Sequence, residues 1–391
     1  MSFSPNTFIN NVHKTYENIT SIILKTPLLH SKWLSSENNC NVFLKMESEQ
    51  ITNSFKLRGA ASKIIKLIKE DPDNLSTEGF VTASSGNHAL ACAYVAELEK
   101  VKTQIYTHKR ISSIKKQILN SFPNVVLNYY GEECCEAEIH AREEAKKKGL
   151  IYVSPYNDID IINGQATIGL ELFSQLPNLD TVFVSVGGGG LISGIALYLK
   201  LINPSIEIIG CQAINDCCMH ESISAGKLIQ NYSYLNTFAD GAAGKVEPGS
   251  ITFEICQKYV DKWVLVNEED IEKAVYDVLI NERKIIEGSA GLTIAALRKT
   301  KIANNKNVAL IVCGGNIGIK NVVSVFTDDT KLYSFLIAHH AITCNKMNFL
   351  TSVGGDEKQL TSAILIQLMA KEICFSYLVY GMKQKRPARS L

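Results

Sequence analysis

The residues of this chain that could do chemistry are a lysine opening a helical pattern, a run of four glycines, a serine-rich turn and a cysteine closing an apolar strand. Lys56 lies in Asn53-Ser54-Phe55-Lys56-Leu57-Arg58-Gly59-Ala60, ahead of the helical apolar face Leu57, Ala60, Ala61, Ile64, Leu67 and Ile68. Ser54 is placed to cap that helix. An amine so close to unpaired backbone N–H groups and the positive end of a helix dipole is biased toward its neutral form, which attacks carbonyls.

Gly187-Gly188-Gly189-Gly190 joins the apolar run Thr181 to Val186 to a helix predicted over Leu191 to Ile202. Glycine there lets backbone approach an anion closely, and a phosphate is the natural guest. The third glycine of a dinucleotide fingerprint is missing, since Ile192 and Ser193 fill the candidate positions, and no triphosphate-binding G-x-x-x-x-G-K-[ST] loop occurs. Ser84-Ser85-Gly86-Asn87-His88 is a second strand-to-helix turn whose hydroxyls and amides suit a carboxylate. His88 has no acidic partner nearby in sequence and reads as a satisfied structural histidine. Cys313 is either a small buried hydrophobe or a neutral partner for a ring nitrogen. An amine, a phosphate cradle, a carboxylate cradle and a neutral partner together describe a Schiff-base site for a phosphorylated aldehyde acting on an amino acid.

Positioning these groups requires strands that end where the turns begin. Strands are predicted at Val42–Lys45, Phe80–Ala83, Thr103–Tyr106, Val125–Leu127, Thr181–Val186, Ile206–Gly210, Trp263–Val266 and Val308–Val312, with helical patterns between them. Such βαβ alternation is the mark of a mostly parallel sheet covered by helices on both faces. Asn267 followed by Glu268, Glu269 and Asp270 is a good helix start.

The chain has 391 residues, 46% of them hydrophobic, enough for two packed domains. Its 40 basic residues balance 39 acidic ones, which argues against a nucleic-acid partner. Eleven cysteines without a C-x-x-C spacing point to reduced thiols and a cytoplasmic setting. The first residues show neither a secretory signal nor an Arg-rich transit peptide. Leu360 to Gly381 is apolar but interrupted by Gln367, Lys371 and Glu372, so no membrane span is expected. Lys383 to Pro387 reads as a solvated basic tail.

The chain resembles the pyridoxal-phosphate enzymes of the tryptophan-synthase-β fold group (fold type II), specifically the serine/threonine dehydratase and serine racemase family. The resemblance rests on Ser54 to Ala60, Thr82 to His88, Gly187 to Gly190, Ala239-Asp240-Gly241, Glu287-Gly288-Ser289-Ala290-Gly291 and Cys313-Gly314-Gly315-Asn316, in family order across roughly residues 20 to 325. It implies an α/β protein with two doubly wound, mostly parallel sheets. The expected division is a large cofactor-binding domain from residues 1–52 and 155–326, a small domain from 53–154, and an extension at 327–391.

By the same resemblance, pyridoxal 5'-phosphate would be held by Phe55, Lys56, Asn87, Asn157, Gly187, Gly188, Gly189, Gly190, Leu191 and Cys313. Lys56 would form the Schiff base and later move the Cα proton, while Ser84, Ser85, Gly86 and His88 would meet the substrate. Asn87 would bond the ring hydroxyl. A thiol facing the pyridine nitrogen cannot supply the charge of an aspartate, which favours prompt loss of a β-hydroxyl. The implied reaction is elimination from L-threonine or L-serine to 2-oxobutyrate or pyruvate and ammonia. Ser85 also permits racemisation, and a cofactor-binding protein without turnover is a third alternative. No metal is expected, because Gln212 and Cys218 occupy positions where animal racemases have acidic ligands, and Ile51 replaces a lysine of their nucleotide site. Chelator and ATP should therefore leave activity unchanged, and the residues past Thr327, too few and too poorly patterned for the regulatory domain that some biosynthetic threonine dehydratases append, imply no inhibition by isoleucine. Asn53 stands where a glycine is usual. The family implies a homo-oligomer, a dimer or larger.

Overall fold

The computed structural model describes residues 4–71, 78–230 and 232–325; the apolar and basic segments noted beyond residue 327 lie outside them. Contacts divide the chain into two units, Met1–Asn316 and Ile317–Leu391.

The first unit contains two sheets. Its strands are β1 (Leu28–His30), β2 (Asn41–Met46), β3 (Phe80–Ala83), β4 (Thr103–Thr107), β5 (Val125–Tyr129), β6 (Ile151–Tyr152), β7 (Thr181–Ser185), β8 (Glu207–Ala213), β9 (Lys262–Val266) and β10 (Asn307–Val312). One sheet runs β1-β2-β10-β7-β8-β9 and the other β5-β4-β3-β6. Only the β1–β2 pair is antiparallel among the described strands. Helices α1 (Pro5–Ile19), α2 (Lys32–Asn38), α3 (Lys56–Glu70), α4 (Asn87–Leu98), α5 (Ser113–Asn120) and α6 (Cys134–Lys148) occupy the first half. They are followed by α7 (Ile159–Gln175), α8 (Gly190–Ile202), α9 (Cys218–Ser224), α10 (Ile251–Tyr259), α11 (Glu268–Glu282) and α12 (Gly288–Lys299). In the second unit the described residues contain one short helix, α13 (Ile319–Ser324).

The predicted strands form, most within a residue or two of their expected bounds. β7 is buried along its whole length, and Val308 to Val312 of β10 are wholly inaccessible, as continuous apolar runs in a parallel sheet must be. β10 lies between β2 and β7, with Val308 opposite both Val42 and Thr181. That register brings the carboxyl ends of the three strands to one edge, where the segments after Met46, Ser185 and Val312 meet. Ligands of open α/β sheets bind at such edges.

Two details set the start of α3. Ser54 does not cap it: the cap position is Phe55, with helical dihedrals and no side-chain hydrogen bond. Ser54 is instead bridged to Gly314, Phe55 N donates to Cys313 O at 3.0 Å, and the Ser54 hydroxyl is buried without a partner. Tertiary pairing with the end of β10 has displaced the local cap. Asn53, with φ of +54°, adopts the left-handed conformation that glycine takes freely and asparagine tolerates better than most residues. The expected cap at Asn267 does form, accepting from Asp270 N at 3.0 Å.

Leu57, Ala60 and Ile64 of α3 pack with Ala91, Cys92 and Val95 of α4 and with Ile161 of α7. Burying a leucine of this kind stabilises by about 1.5–3 kcal/mol. Beside this core, Arg58 is fully buried: Nε donates to Glu47 Oε2 at 2.8 Å and Nη1 to Glu171 Oε1 at 2.8 Å. Lys45 Nζ joins Glu171 Oε2 at 2.5 Å. The network ties α3 to β2 and α7, and so fixes the turn from which Lys56 projects.

Candidate active site

Lys56 is the first residue of α3, and its Nζ donates to Pro155 O at 2.8 Å. The Phe55 ring lies beneath it, its centroid 5.2 Å from the amine. Lys56 keeps some exposure through a cleft, yet the amine is enclosed by buried groups. Burial lowers its pKa from 10.5 to about 8, with Glu138 and Glu287 among the groups pulling the other way. The neutral bias expected from the helix dipole is thus present, with loss of hydration as its main cause.

Across the cleft, the tetraglycine turn runs from β7 into α8. A Cβ on Gly188 would come within 2.5 Å of the Tyr156 ring, so the turn has no room for a side chain there. Gly189 adopts a left-handed φ of +88°. Gly188 O accepts from Thr252 Oγ1 at 2.7 Å, which holds the turn's carbonyl. In α8 the first intrahelical pairing beyond the turn is Ser193 N to Gly189 O at 2.9 Å. The preceding amides have no partner within the helix and carry its positive end.

A third wall joins the two sheets. Asn87, the first residue of α4, donates from Nδ2 to Glu287 Oε1 at 2.9 Å and Oε2 at 3.1 Å. Its Oδ1 accepts from Asn316 Nδ2 at 2.8 Å, and Asn316 N donates to Glu287 Oε2 at 3.2 Å. Burial raises the Glu287 pKa to about 7, against the bonds from Asn87 and Asn316. Cys313 lines the same cleft. Burial, reinforced by Glu287, pushes its thiol well above the ordinary range, so it stays protonated and neutral.

The cleft brings together Phe55, Lys56, Asn87, Gly187 to Leu191 and Cys313, which the sequence had separated by up to some 260 positions. Asn157, Ser84, Ser85, Gly86 and His88 are not among its lining residues. Asn157 Oδ1 accepts from Ile251 N at 2.9 Å and so anchors the start of α10. His88 is buried, its Nε2 3.3 Å from Val153 O, and burial lowers its pKa to about 3. Its imidazole is thus neutral and packed, in line with its reading as a structural histidine. Ser84 and Ser85 are partly exposed on the turn after β3, with Ser85 Oγ 3.9 Å from Cys134 Sγ. The sequence reading assigned no role to Glu287, Tyr156 or Ser289, which also line the cleft. Glu287 and Ser289 lay within a quoted motif; nothing local marked Tyr156.

An enclosed amine drawn toward neutrality, an amide cradle that excludes side chains and a neutral thiol suit a phosphorylated aromatic aldehyde. The donor set fits pyridoxal phosphate, and the fold is that of the enzymes that use it. The chain belongs to the pyridoxal-phosphate dependent enzyme family, whose sequence pattern matches residues 19–314. It is 39% identical over 323 residues to the catabolic L-threonine dehydratase TdcB of Staphylococcus aureus, covering 81% of this chain and 91% of that protein. Maize serine racemase superposes with a TM-score of 0.75 at 29% identity, over 85% of this chain and 98% of that one. Threonine deaminase isoform 2 of Solanum lycopersicum gives 0.75 at 33% identity, over 83% and 94%. No helix among the described residues is long and apolar enough to cross a membrane.

Proposed function

We propose that this protein is a lyase that releases ammonia from L-threonine or L-serine, yielding 2-oxobutyrate or pyruvate. The observation that carries the reading is the single cleft in which Lys56 faces the glycine cradle, with Cys313 and Asn87 on its walls. The relatives named dehydratase and deaminase support the same choice of substrate. Pyridoxal phosphate, when bound, supplies the electron sink that makes the Cα proton of an amino acid acidic. The amides of Gly187 to Leu191 would hold its phosphate, Asn87 would orient its ring hydroxyl, and Phe55 would support its ring. Cys313, neutral, would face the ring nitrogen without protonating it. Lys56, already part-way to a free amine, would take the Cα proton; the β-hydroxyl would leave with a proton as water, and the released enamine would take up water to give the 2-oxo acid and ammonia. Ser84, Ser85, Gly86 and the backbone N–H of His88 would bind the substrate carboxylate at the cleft mouth, and Asn157 would act from behind the cradle.

The two sheets would correspond to a large domain (1–52 and 155–326) and a small one (53–154), and the protein would work as a cytoplasmic homo-oligomer. All described cysteines are free, which supports a reducing setting.

Ammonia and serine stereochemistry followed in parallel, on a panel of hydroxy amino acids, test this. Ammonia release from threonine or serine should outpace racemisation. Faster interconversion of serine enantiomers would instead assign the racemase activity that Ser85 permits. Cofactor absorbance without turnover of any substrate would reduce the protein to a cofactor-binding one.

A further inference from the structure

Three side chains of metal-ligating type gather at the first turn of α9. Cys217, His220 and Glu221 each bring one ligand atom within 4.8 Å of the other two. Cys217 Sγ and His220 Nδ1 both lie 3.8 Å from Glu221 Oε1. Around a zinc ion with bonds of about 2.0–2.3 Å, the edges of a ligand tetrahedron measure about 3.3–3.8 Å. The two distances to Glu221 Oε1 thus sit at the upper end of that range, and all three atoms lie within 4.8 Å of one another.

The surroundings fix two of them. Cys217 is buried, its sulfur 3.6 Å from Tyr232 OH, which donates to it, and 3.7 Å from Ile214 O. His220 Nδ1 is a buried nitrogen with no hydrogen-bond partner; Glu221 at 3.8 Å is too far to serve. The ring is set edge-on to Trp263, centroids 6.1 Å apart, and His220 N donates to Gln212 Oε1 at 2.8 Å. A buried imidazole nitrogen left unpaired costs stability unless something binds it.

We propose that Cys217, His220 and Glu221 form a binding site for a zinc-class divalent cation. Thiolate, imidazole and carboxylate select such an ion over magnesium or calcium, which prefer oxygen ligands only. Cys217 loses its proton to solvent on binding, so the two anionic ligands balance the ion's charge and affinity weakens in acid. Water completes the coordination. The site differs in residues and chemistry from Gln212 and Cys218, where hard ions were considered and set aside.

Its place in the fold gives it a consequence. Met219 lies between the ligands, and its Cε is 2.8 Å from where a Cβ on Gly189 would stand, so it packs against the glycine turn. An ion that fixes the first turn of α9 braces that wall and slows loss of whatever the turn holds.

Cobalt(II), titrated into the cofactor-loaded protein at neutral pH, should produce a sulfur-to-cobalt charge-transfer band that saturates at one ion per chain and is abolished by added zinc. The band should disappear in Cys217→Ser, weaken strongly in His220→Ala and persist in Cys218→Ser, with cofactor absorbance confirming that each variant is folded. Zinc should also slow cofactor loss on dialysis severalfold in the unmodified protein. Absence of the band, or its survival in both Cys217→Ser and His220→Ala, overturns the site. Unchanged cofactor loss overturns the bracing role.

Discussion

Lys56 and Arg58 lie two positions apart on the first turn of α3, and both are largely withdrawn from water, yet their pKa values move in opposite directions. Burial opposes the charge on Arg58, but Glu47 and Glu171 outweigh it and hold the guanidinium firmly protonated. Lys56 meets a backbone carbonyl instead of a carboxylate, and burial prevails. Depth alone therefore does not decide the charge of a basic group; the partner the fold supplies does. One turn of helix thereby carries both a structural cation and a reactive amine.

The contrast can be broken most severely at its reactive member. Lys56→Ala should reduce ammonia release by ~10³-fold or more while leaving the circular dichroism of the fold unchanged. A variant that kept a tenth of the rate would remove Lys56 from the chemistry. At the structural member, Arg58→Ala leaves Glu47 buried without a cation and Glu171 with Lys45 alone, and should destabilise by about 3–5 kcal/mol, read from urea unfolding. A loss under 1 kcal/mol would mean that water or Lys45 takes over the pairing.

Smaller effects sharpen the comparison. Gly188→Ala forces a Cβ toward the Tyr156 ring, an overpacking that costs ~1–3 kcal/mol and should appear as weaker cofactor affinity in equilibrium dialysis. In cofactor-free protein, capture of the aldehyde should accelerate with pH through about 8 and level off above it, because only the unprotonated Lys56 reacts. The same group makes the folded state more stable as pH rises from about 8 to 10.5, the interval in which only the unfolded chain still holds that proton. Capture that instead tracked an ordinary lysine would show that burial is relieved in solution. Glu287→Gln, which removes a carboxylate acting on Lys56, should move that midpoint down by a few tenths of a pH unit. An upward move would contradict the partner argument.

Much of this site was legible because its parts are local. The glycine turn, the lysine at a helix start and the cysteine after an apolar run each follow a predicted strand or open a helix, and a strand's direction fixes where its end must lie. What escaped is long-range. Asn87 and Glu287 bond across 200 positions, and no pattern around either names the other. Ser54 is a good cap by composition, but pairing with Gly314 took its backbone first. His88 sits in a motif that suits a carboxylate, and only packing shows its ring turned to Val153. The cluster at Cys217 was visible as Cys-x-x-His-Glu spacing, but without a C-x-x-C pair it carried no recognisable metal signature.

The position of β10 bears on how the protein is made. The last of the described strands to leave the ribosome fills the middle of its sheet, between two strands synthesised long before it. Until it emerges, the β1–β2 pair has no further neighbour in the sheet, and the cleft lacks the wall that Cys313 and the bridge at Gly314 supply. A message broken before that codon therefore yields a polypeptide with an unfilled gap between β2 and β7 of its larger sheet.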